Sequence, residues 1–203
     1  FDGGSATTVN ATGFDSGTVT AAAGSTVNVV GAGYTVASVN SDAVTVVSSG
    51  AVAIDTDGNA GNQVENVTVQ GNGAAVVATI TGAPESLTAA GSQNVTFAGD
   101  HAVFHTETIT DSLTAGTTKL NVTAMNADTD LSKAGVDVIE ISSAASDDDV
   151  TVTIASGASV LISAAQTASA GTDELTLTAA AATAASNTVS VTFDNGTAVT
   201  TLA

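Results

Sequence analysis

Residues 86–100, SLTAAGSQNVTFAGD, decide the fold, because their parts recur along the chain. An Asn/Asp-Val-Thr triplet stands at Asn66, Asn94, Asn121 and Asp149, at intervals of 28, 27 and 28 residues. The flanking phrases recur too. Glu85-Ser86-Leu87-Thr88-Ala89 matches Asp111-Ser112-Leu113-Thr114-Ala115, and Ala75-Val76-Val77 matches Ala102-Val103-Phe104. A fainter copy, TAAAGSTVNVVGAG, occupies residues 20–33. Self-similarity at a fixed period of roughly 20 to 50 residues marks stacked units that bury their apolar faces on one another. Upstream, TVTA, TVNVV, YTVASV, AVTVV and AVAID follow one another between Gly, Ser, Asn and Asp. Apolar and polar residues alternating between turn signals read as short strands.

Two all-β architectures carry such a pattern. In a parallel β-solenoid (β-helix), each repeat is one coil of about 27 residues, successive coils lie about 4.8 Å apart, and equivalent residues form ladders. The alternative is a pair of antiparallel β-sandwich domains. Aromatic residues make up only 3% of the chain, Trp is absent and Pro84 is the single proline, so the core is thin and lined by small side chains. That favours the solenoid. The expected organisation is one repeat-built domain over residues 1–203, with a looser part over 1–65 and regular repeats over 66–203. In this register Leu87, Val95 and Phe97 point inward, while Gly91 and Gly99 make corners. The insertion NADTDLSKAGV (126–136) holds a short helical turn, and the Ala-rich stretch 178–186 lines a narrow corner.

Asp and Glu number 20 against 2 Lys (Lys119 and Lys133) and no Arg, for a net charge of −18. Nucleic acid is excluded as a partner, since phosphate neutralisation needs Lys and Arg. The chain is not a disordered acidic tail either, because 43% of it is hydrophobic and only 11% charged. No cysteine is present, which removes disulfides and thiolate metal sites. No run approaches the roughly 18 apolar residues that span a bilayer, so membrane insertion is not expected. Nor does a basic-then-apolar leader stand at Phe1, as expected of a mature product or of a piece of a longer chain.

Candidate chemistry is confined to a few stretches. Asp55, Asp57, Asn59 and Glu65, with Gly58, place hard oxygen ligands at alternating positions of a loop, as calcium requires. The loop departs from the helix-flanked calcium loop: Ala60 replaces the sixth-position glycine, and the acid comes at the eleventh position. Asp147, Asp148 and Asp149, with Asp128 and Asp130 earlier in the same repeat, form a second candidate calcium set, since adjacent carboxylates repel unless solvated or bridged by a cation. An exposed acidic turn is the plain reading of both. His101, Val103, His105 and Glu107 would share one face of a strand, which offers a zinc pair or an ordinary polar face. Asn10, Asn66, Asn94, Asn121 and Asn195 begin Asn-x-Thr sequons, three of them simply marking the repeat. Threonine arrays on a solenoid could order water and bind ice. The pairs Thr79/Thr81, Thr106/Thr108, Thr151/Thr153 and Thr176/Thr178 do not share one repeat position, so ice binding is not expected. No nucleophile elbow, P-loop or paired catalytic motif is present, and no enzymatic activity is expected.

The phrases LNVTA (120–124), GVDVIEIS (135–142) and DDVTVTIASGASVLIS (148–163) resemble the Ala/Thr/Val/Gly-rich, cysteine-free β-solenoid regions of bacterial surface-layer (S-layer) proteins, including those exported with the calcium-binding RTX proteins. The resemblance covers most of residues 18–193. The glycine-aspartate nonapeptides that define RTX calcium coils are absent, so those calcium sites do not carry over. The resemblance implies an extracellular, cell-surface structural protein that self-assembles into a lattice or filament, with calcium at its contacts. The expected partner is a second copy of the chain, and cell-surface polysaccharide is a further candidate. An adhesin or ligand-binding module is the alternative, and it would need an exposed aromatic platform.

Overall fold

Every short alternating run becomes a strand, and every strand pairs in parallel with one from a neighbouring coil. The structure is a computed structural model describing residues 8–12, 17–21, 25–30, 34–38, 43–56, 66–143, 150–155, 157–162, 175–180 and 190–193. One sheet stacks seven strands: β1 (Thr8–Thr12), β3 (Ser25–Val30), β5 (Ala43–Ser48), β7 (Asn66–Gly71), β9 (Ser86–Gly91), β11 (Thr108–Leu113) and β14 (Ala134–Gly135). A second stacks nine: β2 (Gly17–Ala21), β4 (Tyr34–Ser38), β6 (Ala51–Asp55), β8 (Val76–Thr81), β10 (Val95–Asp100), β12 (Thr118–Ala124), β15 (Val138–Ile141), β17 (Ser159–Ile162) and β19 (Ser190–Phe193). The third sheet is β13 (Thr129–Leu131), β16 (Val150–Ile154) and β18 (Leu175–Ala179). This is the expected parallel β-solenoid; an antiparallel sandwich would pair its strands the other way.

The coil is shorter than the sequence period. Paired residues lie as few as 17 apart (Gly17 and Tyr34) and as many as 31 apart (Ser159 and Ser190), with an average near 22. The 27-residue triplet is therefore not a coil marker. Asn66 opens β7 in the seven-stranded sheet, Asn94 precedes β10 in the nine-stranded one, and Asn121 lies inside β12, paired with Ala98 and Glu140. The matched phrases diverge in the same way: Leu87 pairs with Ile109, not Leu113. Asn-Val-Thr suits an outward-inward-outward strand segment on any wall, so the same word recurs without structural equivalence.

The walls meet in a dry interior. One column of the nine-stranded sheet runs Tyr34, Val52, Ala78, Phe97, Leu120, Ile139, Val160, all buried. Small Ala78 beside Phe97 lets the column hold a ring without splaying the rungs, since interiors are close-packed. The seven-stranded sheet contributes leaner columns, Val44, Val67, Leu87, Ile109, Ala134 and Val9, Val27, Val46, Val69, Ala89. Burying each Val, Leu, Ile or Phe removes apolar surface worth about 1.5–3 kcal/mol. Leu87, Val95 and Phe97 point inward as expected.

The cross-section changes at β10. Its register slips between Gly99 and Asp100, and the chain turns into α1 (His101–Phe104), with Asp100 Oδ1 accepting the Ala102 N–H at 2.9 Å as N-cap. Gly99 is thus not a corner but a gap. A Cβ there would stand 2.9 Å from the Ile80 carbonyl oxygen and 3.1 Å from the Phe104 ring. Gly91, at φ +91°, does turn the chain as expected. The helical turn expected within 126–136 is absent; that segment forms β13, a turn at Ser132 and Lys133, and β14. Helix α1 packs beside β13, where the third sheet begins. There the Asp130 N–H donates to His105 Nδ1 at 3.1 Å, and the Thr106 N–H, held at φ +66°, donates to the Asp130 carbonyl oxygen at 2.8 Å. The new sheet edge is thereby capped from within the chain, which satisfies backbone groups that would otherwise be open for pairing.

Candidate functional site

The candidate calcium ligands do not converge within the described residues. Asp55 ends β6, in register with Thr81 of β8, whereas Asp57, Asn59 and Glu65 fall outside the described residues, as do Asp147, Asp148 and Asp149. Asp128 Oδ1 accepts the Thr151 N–H of the next coil at 2.8 Å, and Asp130 Oδ1 accepts the Ser132 N–H at 2.9 Å. Each of these carboxylates so spends one oxygen on the backbone. Among the described residues no three His, Asp or Glu side chains gather closely enough to hold a metal ion.

Helix α1 separates the two histidines. His101 is buried, its Nδ1 2.6 Å from Asp100 Oδ1 but too poorly aligned for a hydrogen bond, while His105 is exposed and bonds to β13. The shared strand face of His101, Val103, His105 and Glu107 does not form, because Asp100 caps a helical turn where that strand would have continued. Around this turn lie the shifted carboxyls. Hydrogen bonds from the Ser132 hydroxyl and N–H hold Asp130 below the ordinary carboxylate value, with His105 and Lys133 adding to the effect. Burial pushes Glu107 up, against the pull of Lys133.

Rung-to-rung side-chain bonds take up the sequon asparagines. Asn28 Nδ2 donates to Asn10 Oδ1 at 2.7 Å, the Ser86 hydroxyl donates to Asn66, Asn94 Oδ1 accepts the Thr117 N–H at 2.9 Å, and the Ser142 hydroxyl donates to Asn121 at 2.6 Å. Asn195 lies outside the described residues. These asparagines act as ladder residues that tie one coil to the next.

The outer face of the seven-stranded sheet carries the most regular array. Thr8, Thr26, Thr45, Thr68, Thr88 and Thr110 pair in unbroken register over six strands. On one side run Ala43, Asn66, Ser86 and Thr108, and on the other Asn10, Asn28, Val47, Gln70, Ala90 and Ser112. None of these is charged. Asp111, the one acid in these strands, falls in the phase of the inner Val46–Val69–Ala89 column but is exposed, its Oδ1 accepting the Leu113 N–H at 2.9 Å, and so ends that column. The named pairs Thr79/Thr81, Thr106/Thr108, Thr151/Thr153 and Thr176/Thr178 lie on three different sheets and share no single position; this column is made of other threonines, aligned at offsets of 18 to 23 residues that the 27-residue period does not track. Two of the named pairs also stack, Thr151 and Thr153 on Thr176 and Thr178 in the third sheet. The signal in the sequence was an apolar-Thr step repeated strand by strand: Val44-Thr45, Val67-Thr68, Leu87-Thr88, Ile109-Thr110.

The nine-stranded sheet presents a different outer face. Thr79, Ala98, Asn121, Glu140 and Leu161 form one column and Val77, Thr96, Lys119 and Val138 another. Lys119 Nζ bridges to Glu140 at 2.9 Å across the two. Among the described residues, no helix is long and apolar enough to cross a membrane. Tyr34, Phe97 and Phe104 are buried, so none of them offers a surface platform. Comparison with protein-family models, curated proteins and solved structures finds no match to this chain.

Proposed function

We propose that the chain is an extracellular structural protein that assembles coil on coil into a filament or cell-surface layer, with calcium at its contacts. The open parallel stack is the observation that carries this reading. Among the described residues β1 and β2 at one end, and β18 and β19 at the other, pair on one side only. A strand edge left in that state is a template for another strand. A second chain docking there would extend the nine-stranded ladder from β19 to β2 and cover apolar end residues such as Val9, Val19, Leu175 and Leu177. The internal edge at β13 is capped by His105 and Thr106, so the fold supplies a cap where pairing must stop.

Charge sets the condition for assembly. A net charge of −18 opposes close approach of copies, and a divalent cation held between carboxylates relieves it. Asp55, Asp57, Asn59, Glu65, Asp128, Asp130, Asp147, Asp148 and Asp149 remain the residues assigned to that role. Catalysis has no part in this reading, and cell-surface polysaccharide is a further partner, to which the buried Tyr34, Phe97 and Phe104 offer no stacking surface. Electron microscopy of the purified chain with calcium and with a chelator tests it. Ordered fibres or sheets in calcium that dissolve on chelation are expected; monomers that persist at millimolar calcium would sink the proposal.

A further inference from the structure

We propose that the outer face of the seven-stranded sheet is a binding site for the ordered surface of crystalline water, ice. The column Thr8, Thr26, Thr45, Thr68, Thr88, Thr110 keeps one register over six rungs. With rungs about 4.8 Å apart, that is a regular array roughly 24 Å long. Each threonine offers a hydroxyl that both donates and accepts, beside a methyl group that water must cage rather than bond. A water layer held by such pairs is anchored at fixed intervals and ordered between them. β-Branching leaves threonine few χ1 states, and the hydrogen-bonded sheet fixes the backbone, so little conformational entropy is lost when a rigid lattice docks.

Charge selects this ligand over others. Among the described residues no acid stands in the outward columns of these strands; Asp111, the one acid in the strands, is exposed beside Thr110 but one position out of phase with the threonine column. Ionised groups hold tight hydration shells of their own, which a crystal plane would have to strip. The six strands that carry the column have no Lys or Arg to hold a polyanion and no aromatic ring to stack on a sugar; Lys133, exposed at the turn before β14, lies past the last threonine. What remains is an uncharged, periodic hydroxyl and methyl surface, suited to a ligand that is itself periodic and uncharged. This inference goes beyond the assembly reading and does not depend on it, since the column is complete within one chain.

The test uses the whole chain at a concentration where sedimentation finds it monomeric, labelled with a fluorophore and offered to a slowly growing ice hemisphere while thermal hysteresis is read. Wild type and Thr79→Lys, on the opposite face, are expected to enter the ice and shape its growth. Thr68→Lys is expected to be excluded from the ice and to lose hysteresis, with its circular dichroism unchanged. Should the lysine disturb folding, Thr68→Ser, which keeps the hydroxyl and removes the methyl, is expected to weaken both readouts. Exclusion of wild type from the ice, or entry of Thr68→Lys, overturns the proposal. So does a sedimentation shift showing that Thr68→Lys splits a face-to-face dimer while hysteresis is absent from wild type.

Discussion

The two large walls of the solenoid are built from the same alternation and differ in what each phase carries. Inside, the nine-stranded wall supplies the bulk, with Tyr34, Phe97, Leu120 and Ile139 in one column, while the seven-stranded wall is lined mostly by Val and Ala. Outside, the order reverses in polarity: the nine-stranded wall bears Lys119 and Glu140 in its outward columns, and the outward columns of the seven-stranded wall's first six strands are uncharged, with Asp111 and Lys133 only at the column's end. One wall does the packing and carries charge, and the other is free to be regular. A thin Val-lined interior tolerates identical rungs, whereas a ring such as Phe97 demands a compensating Ala78.

Substitutions can break this comparison at several strengths. The largest effect is expected inside the nine-stranded wall, where Phe97→Ala should cost about 3–5 kcal/mol. Val46→Ala in the opposite wall should cost about 2 kcal/mol from two lost methyl groups and a small cavity. Urea unfolding at one pH reads both, and equal costs would show that the walls share the packing evenly.

Next comes Gly99→Ala, expected to cost about 1–3 kcal/mol by overpacking, because the new methyl meets the Ile80 carbonyl as well as the Phe104 ring. Combining it with Phe104→Leu should recover only the part due to the ring. Full recovery would mean that the backbone contact relaxes freely.

Smaller effects are expected in the pH dependence at the α1–β13 junction. Glu107 has a folded pKa above its ordinary 4.5; its contribution is present below that value and lost as pH rises through the folded one. Glu107→Gln should therefore be the more stable form at neutral pH, with the difference vanishing below pH 4.5. Asp130 has a folded pKa below its ordinary 3.8, so its contribution is present above 3.8 and lost as pH falls through the folded value. Asp130→Asn should be less stable at neutral pH and converge with wild type in acid. Thermal midpoints between pH 2 and 7 check both signs, and slopes of the same sign would contradict the assignments.

The smallest effect belongs to the outer face of the nine-stranded wall. Lys119→Met should cost about 0.2–1 kcal/mol, as a part-exposed ion pair does, and the cost should fade in about 1 M salt. A salt-independent loss would mean that the Lys119 stem, not its charge, packs on the wall.

Strand positions and inward residues were legible because the strand period is strictly two; Leu87, Val95 and Phe97 could be assigned inward from their neighbours alone. Coil length was not. Loops between rungs vary freely while the strands keep register, so paired residues lie 17 to 31 apart and no fixed period tracks them. The third sheet and α1 were hidden for a related reason: 101–107 has a good strand pattern, and only the capped turn at Asp100 and the ring gap at Gly99 divert it. Of the candidate ligands, Asp128 and Asp130 could be recognised as acids in a turn, but not as carboxylates already bonded to the backbone of β16 and of their own turn.

The sequence by itself determined an all-β, repeat-like, small-residue and acidic chain and favoured the solenoid over an antiparallel sandwich, because alternation, turn residues and composition are local properties that each segment carries alone. Only the tertiary structure decided which residues stand above one another. Stacking is set by backbone hydrogen bonds between coils, which align strands and ignore the length of the loops between them. That is why a misleading 27-residue repeat could dominate the sequence while an unbroken column of six threonines lay across it.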